Sequence, residues 1–178
     1  MRHVTAVGIG FLSMLVVLGI GAAGFVGSGL YNIGADDHHT RPVLWIIEHL
    51  RNRSVAIRSR DLQVPALDDH ERVVRGANHY ATLCTGCHLA PGVDRSVLRA
   101  GLYPHPPNLV QQDLSNPQTA FWTIKHGIKM SAMPAWGKTL DDTAVWDLVA
   151  FIRQMPAMSP ELYRALIAGS QTQARAAE

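Results

Sequence analysis

The sequence predicts a mainly helical chain in which an apolar, membrane-spanning helix precedes one small domain of short helices. Three observations carry this expectation. Between Arg2 and Asp36 there is no Asp, Glu, Lys or Arg, although charged residues make up 17% of the chain. Beyond that run, apolar side chains recur at helical spacing in stretches separated by Pro and Gly. Only two cysteines occur, in Cys84-Thr85-Gly86-Cys87-His88, and they close one of the helical stretches.

A length of 178 residues allows about one ordinary domain plus an appendage. Sixteen basic against 14 acidic residues leave a net charge of +2, which argues against a chain built to neutralise many phosphates, so no nucleic-acid partner is expected. Two cysteines rule out a multi-disulfide scaffold.

Residues 1–35 form the anchor and its juncture. The run Val4 to Leu30 is apolar or small throughout and as a helix reaches roughly 40 Å, enough to cross a hydrocarbon core of about 30 Å. A cleaved signal peptide is the rival reading, with Ala22, Ala23 and Gly24 as a small-residue cleavage site. The run exceeds the apolar core of about 7–15 residues usual in signal peptides, which favours an uncleaved single-pass anchor. Arg2 before the run and Asp36-Asp37 after it favour a cytoplasmic N-terminus, so the rest of the chain is expected on the periplasmic side of the inner membrane.

Residues 36–67 read as an amphipathic spacer or docking segment. Thr40-Arg41-Pro42 is a helix start, Val43, Leu44, Ile47 and Leu50 make an apolar stripe with Trp45 beside it, and Arg51, Arg53, Arg58 and Arg60 crowd its end. Such a helix lies on anionic lipid head groups, or else docks on the following domain or a partner and keeps its arginines wet. Val64-Pro65-Ala66-Leu67 reads as a linker.

Residues 68–157 are the expected domain. Asp68 with Glu71 resembles a capping box, so a helix is expected from about residue 69, with Val73, Gly76, Ala77, Tyr80 and Cys84 on one face. From Leu89 to Met133 only short helices are expected, at about 93–99 and 117–126, the second opened by Asn116-Pro117 and closed by Gly127, with Phe121, Ile124 and Ile128 inward. So long an irregular stretch is unusual in a compact domain unless a bound group replaces part of the core. A last strong helix spans Asp142 to Gln154, carrying Val145, Trp146, Leu148, Val149, Phe151 and Ile152, and Pro156 stops it. Residues 158–178 are expected as a short helix from Ser159-Pro160 and a frayed tail from Gln171.

C-x-x-C-H is the attachment motif of c-type haem: two thiols add to the haem vinyl groups, and the adjacent histidine faces the iron. Given two cysteines and nine histidines, chance alone would produce it on the order of once in two thousand such chains. A thioredoxin-type dithiol would follow a strand, and a structural zinc site would need further soft ligands nearby. One covalent haem c is therefore expected, held by Cys84 and Cys87, with His88 as an iron ligand.

Gly127 to Gly137 supplies the other axial ligand. Met133 is favoured over Met130, because Pro134 holds the residue before it in extended backbone. His105 and His126 are the histidine alternatives, and His38-His39 is a weaker metal-binding possibility.

On G-x-x-x-Y-x-x-x-C-x-x-C-H at Gly76 to His88, P-P-N-L at Pro106 to Leu109, M-P-A-W-G at Met133 to Gly137 and the aromatic last helix, residues 69–156 resemble the class I monohaem c-type cytochromes in their bacterial membrane-anchored form. The resemblance implies the class I fold, with first and last helices crossing beside the haem at Gly76 and Tyr80 against Trp146 and Phe151. It also implies that the Pro107 carbonyl accepts the Nδ1–H of His88, and that Trp136 and Lys138 contact the haem propionates. Residues 36–67 lie outside the resemblance.

With both axial positions filled by protein there is no open site for a small-molecule substrate. The expected function is a membrane-anchored periplasmic electron carrier between respiratory redox complexes, not itself an enzyme. A fixed relay subunit of a larger oxidase, reductase or dehydrogenase is the alternative, and a gas-binding haem sensor the third reading. Residues 68–157 carry eight bases and eight acids, and Lys125, Lys129 and Lys138 beside the ligand loop are expected to form a basic docking face for a redox protein.

Overall fold

The computed structural model describes residues 2–112 and 114–176, with side chains from His3 to Ala168 apart from Asp113. Among the described residues the regular structure is helical, and the only β feature is an isolated bridge between Ala90 and Val93. Two compact units meet at the Asp37/His38 boundary.

The first unit is dominated by α1 (Arg2–Ser28), long and apolar enough to cross a membrane, whose side chains from His3 onward are exposed throughout. Ser28 ends it by donating from Oγ to the Phe25 carbonyl at 2.7 Å, and Gly29 follows with φ +66°.

The second unit begins with α2 (Arg41–Ser59). Thr40 is its N-cap residue without a side-chain capping bond, and Pro42 sits in its first turn, where a missing N–H costs nothing. The helix packs against α6 (Pro117–His126), with Val43, Leu44 and Val55 half-buried and Ser59 buried. Leu67, at the end of the linker, reaches the core.

The helix α3 (His70–Leu83) starts one residue later than the D-x-x-E pattern suggested. Asp69, not Asp68, is the cap: its backbone is extended and its side chain accepts the Glu71 N–H at 3.3 Å, so the Asp68–Glu71 box does not form. Val73, Gly76, Ala77 and Tyr80 are its buried face. The last strong helix, α7 (Asp142–Gln154), is capped by Asp141, which accepts the Ala144 N–H at 2.8 Å. Val145 to Ile152 are all buried, so α7 is covered on every side rather than along a stripe, as an apolar helix at the centre of a small domain must be.

At the α3–α7 crossing, a Cβ on Gly76 would lie 2.0 Å from the Asp147 carbonyl oxygen and 2.9 Å from Phe151 Cβ. Only glycine allows this approach. Tyr80 and Phe151 pack there with ring centroids 5.2 Å apart, whereas Trp146 faces away and stacks on Phe121 of α6 at 4.1 Å. Asp147 is the one charge inside the apolar run, 2% exposed. Arg72 Nη1 and Arg75 Nε of α3 donate to its two oxygens at 2.8 and 2.7 Å, which compensates the burial of the carboxylate and ties the two helices together. The Asp147 carboxylate, through this hydrogen bond and its charge, raises the Arg75 guanidinium further above its ordinary range.

The expected helix at about 93–99 is shorter, α5 (Val97–Ala100), while α6 and α7 have the expected bounds. The C-terminal segment is α8 (Pro160–Ala176), helical through most of the expected frayed tail; residues 177–178 lie outside the described residues. It packs on α3, and Tyr163 is buried. The boundaries drawn at 67/68 and 157/158 thus fall inside one packed body.

Candidate haem site

The helix α3 delivers Cys84 to the core, and the chain makes one more helical turn, α4 (Thr85–His88), closed by the Cys87 and His88 N–H groups on the Cys84 carbonyl at 3.1 and 2.8 Å. Leu89 breaks the turn with φ +63°, an uncommon conformation for a residue with a Cβ. Tyr80 holds it there, donating from its hydroxyl to the Leu89 carbonyl at 2.7 Å. Burial pushes the Tyr80 phenol well above its ordinary pKa, so it stays protonated and donates. Thr85 Oγ1 bonds back to the Tyr80 carbonyl and lies 3.3 Å from the Tyr163 hydroxyl, so α8 also braces the motif.

Both cysteines are free thiols. Cys84 is buried, and burial pushes its thiol up to about 12, with the neighbouring Cys87 acting in the same direction. Cys87 is half-buried.

His88 Nδ1 lies 3.0 Å from the Pro107 carbonyl oxygen. A carbonyl only accepts, so Nδ1 carries the proton and Nε2 keeps its lone pair. Burial lowers the His88 pKa and the charge of Arg99 does the same, against the Pro107 bond, which favours the neutral imidazole a metal ligand requires. Ser96 donates from Oγ to the Gly86 carbonyl and fastens α5 to the motif. Arg99, in α5, has a buried Nε without a hydrogen-bond partner among the described residues, while its carbonyl accepts from His105 Nδ1 at 3.3 Å.

The second half of the site is the loop after α6. Gly127 turns it with φ +64°, and a Cβ there would meet the backbone of Met133, Pro134 and Ala135 at 2.6–2.7 Å. The loop is closed by the Ile128 N–H on the Met133 carbonyl at 3.2 Å and by Ser131 Oγ, which donates to the Ile128 carbonyl and accepts from the Met133 N–H. The two methionines part here. Met130 stands at the tip with φ +55° and full exposure, whereas Met133 is half-buried against the core cluster that contains Cys84. Trp136, which begins a short 3₁₀ turn to Lys138, packs on the same cluster; Lys138 is exposed.

Residues 71–152, a little under half of the chain, match the family described as cytochrome c oxidase, cbb3-type, subunit III. This segment is a c-type cytochrome domain. Such a domain carries haem c and transfers electrons rather than catalysing a reaction of its own. No curated protein and no solved structure matches the chain significantly.

The cytochrome domain's residues suit a haem in donor type and placement: two thiols on one turn, a neutral imidazole with its outer nitrogen anchored, and a thioether on a closed loop packed against the same core. The buried, unpaired Arg99 Nε suits a haem carboxylate. Both histidine alternatives are exposed: His105 is tied to Arg99 and His126 lies against Trp122 at 4.8 Å. His38 and His39 rest on the Tyr103 ring, and no group of three or more metal-binding side chains occurs among the described residues. Lys125 is not the free cation the sequence suggested, because its Nζ sits 2.6 Å from Asp142.

Sequence reasoning passed over two features. Asp147 within the apolar run Val145 to Ile152 was a legible signal, since a charge on a buried helix requires partners, and arginines recur at Arg72 and Arg75. Arg99 carried no such signal, because its burial depends on how α5 folds onto the cysteine turn.

Proposed function

We propose that this chain is a membrane-anchored electron carrier of the periplasmic face, with one haem c bound through Cys84 and Cys87 and ligated by His88 and Met133. The observations that support the reading are the C-x-x-C-H turn with His88 Nδ1 on the Pro107 carbonyl and a methionine loop in which Met133, not Met130, packs on the core. When bound, the haem iron supplies a one-electron couple and nothing else is required of it. Pro107 orients His88 and makes it a better donor. Met133 brings a neutral, soft sulfur that favours the reduced metal. Trp136, packed on the core beside the loop, and Arg99, with its unpaired Nε, contact the haem carboxylates. The apolar α1, with Arg2 at its start and Asp36-Asp37 after it, supports an inner-membrane anchor with the N-terminus in the cytoplasm.

The full chain produced with haem-attachment machinery is expected to carry one haem that survives acid and organic extraction, and to lose it in Cys84→Ala/Cys87→Ala. Extractable haem in the unsubstituted protein defeats the proposal.

A fixed relay subunit is the second reading, favoured by the description of the matching family as an oxidase subunit and by an α1 rich in glycines that face open space. Purification in mild detergent from native membranes decides between them. A stoichiometric partner retained through purification means a subunit, and the chain alone means a shuttle.

A further inference from the structure

The face of α2 turned away from the domain is apolar and uncovered. Ile46, Leu50, Arg53 and Ile57 follow one another at four, three and four residues, one line along the helix, and Leu50 is 69% and Ile46 56% exposed. Ile47 and Trp45 flank this line and are exposed as well. The opposite side holds the half-buried Leu44 and Val55 and the buried Ser59, so packing against α6 leaves the line free.

We infer that this face lies in the head-group region of a lipid bilayer, with the helix axis in the membrane plane. The inference rests on the reading of α1 as an anchor. Three observations select lipid as the occupant. The chain brings a bilayer with it, and the linker from residue 29 to 40 extends to at most about 45 Å, so the membrane is within reach of α2. The charge at this face is basic: Arg53 stands on the line and Arg58 to its side, where they match lipid phosphates, while Arg41, Arg51 and Glu48 lie on the side of Leu44 and Val55. Shape and chemistry suit an interface, since arginine stems lie along apolar surface while their heads reach phosphate, and Trp45 has an apolar body with a polar N–H. α2 thereby makes a second contact with the bilayer and fixes the orientation of the haem domain above it, rather than leaving it on a loose tether.

Spin-labelled full-length holoprotein in lipid nanodiscs tests this. Once Cys84 and Cys87 carry haem, one introduced cysteine is the sole free thiol, so Leu50→Cys, Ile57→Cys, Glu48→Cys and Leu15→Cys each report one position. Collision with oxygen, which concentrates in lipid, is compared with collision with a water-soluble nickel chelate. A several-fold higher oxygen-to-nickel ratio at 50 and 57 than at 48, with a still higher ratio at 15, is the expected result. Deep burial at 15 with 50 as nickel-accessible as 48 overturns the inference and leaves the anchor standing. Labels at 50 and 57 shielded from both agents show a protein covering the face and also overturn it. A label at 15 that is absent or open to water removes the anchor and this inference together.

Discussion

Met133 and Met130 lie three residues apart in one loop, and nothing in their chemistry separates them. Their backbone does. Met130 occupies the outward tip, while the Ser131 hydroxyl and the Ile128 N–H draw Met133 back onto the core. Met133→Ala is therefore expected to abolish the sulfur-to-iron charge-transfer band of the oxidised protein and lower its midpoint potential, and Met130→Ala to leave both nearly unchanged. The reverse pattern in optical spectra and redox titrations reassigns the ligand. Arg99 allows a second prediction. If its unpaired Nε receives a haem carboxylate, removing that cation leaves a more negative field at the iron and favours the oxidised state. Arg99→Gln should lower the potential while Arg99→Lys restores most of it; equal potentials in all three proteins place Arg99 elsewhere. The Cys84, Cys87 and His88 motif was legible as residue types at fixed spacing, and Pro134 favoured Met133, but only the folded loop turns Met133 inward and Met130 outward. Arg99 was not legible, because only the fold of α5 onto the cysteine turn buries its Nε.

At the scale of elements, the crossing of α3 and α7 shows how little space the fold concedes. A methyl at position 76 must displace the Asp147 carbonyl, which belongs to the helix whose carboxylate Arg72 and Arg75 hold. Gly76→Ala is expected to cost about 3 kcal/mol or more of holoprotein stability, at the upper end for overpacking, with loss of the tyrosine–phenylalanine contact below it. Denaturant unfolding followed in the haem band measures this, and a change under about 0.5 kcal/mol would mean the helices slide apart freely. α6 and α7 were legible because their signals are local: Asn116-Pro117 and Gly127 for the first, the apolar run from Val145 to Ile152 and Pro156 for the second. α2 and α8 start where they were expected, although α8 runs on through most of the expected tail, and their membership in the domain was not legible, since Leu67 and Tyr163 meet the core only through contacts distant in sequence.

For the whole molecule, two consequences follow. The long segment from Leu89 to Met133 holds only short helices, and a domain of this size buries a modest core, so haem removal should leave it largely unfolded. Far-ultraviolet circular dichroism of Cys84→Ala/Cys87→Ala protein should show much reduced helix outside the anchor, and native-like helix content would refute this. The second concerns docking. Asp142 neutralises Lys125, so the positive charge beside the ligand loop falls to Lys129 and Lys138, both exposed. Lys129→Glu and Lys138→Glu should each slow electron transfer with an acidic partner and flatten its decline with salt, whereas Lys125→Gln should change it little. Rates independent of salt in the unsubstituted protein argue against an electrostatic dock. The sequence by itself determined a charge-free run long enough for a bilayer and two thiols and an imidazole at C-x-x-C-H spacing, which are properties of covalent order and composition. Only tertiary structure decided which methionine turns inward, that the Nε of Arg99 is buried, which lysine is already paired and which face of α2 is left uncovered. Those outcomes depend on packing between segments far apart in the chain, and burial, unlike spacing, is not a property of any one of them.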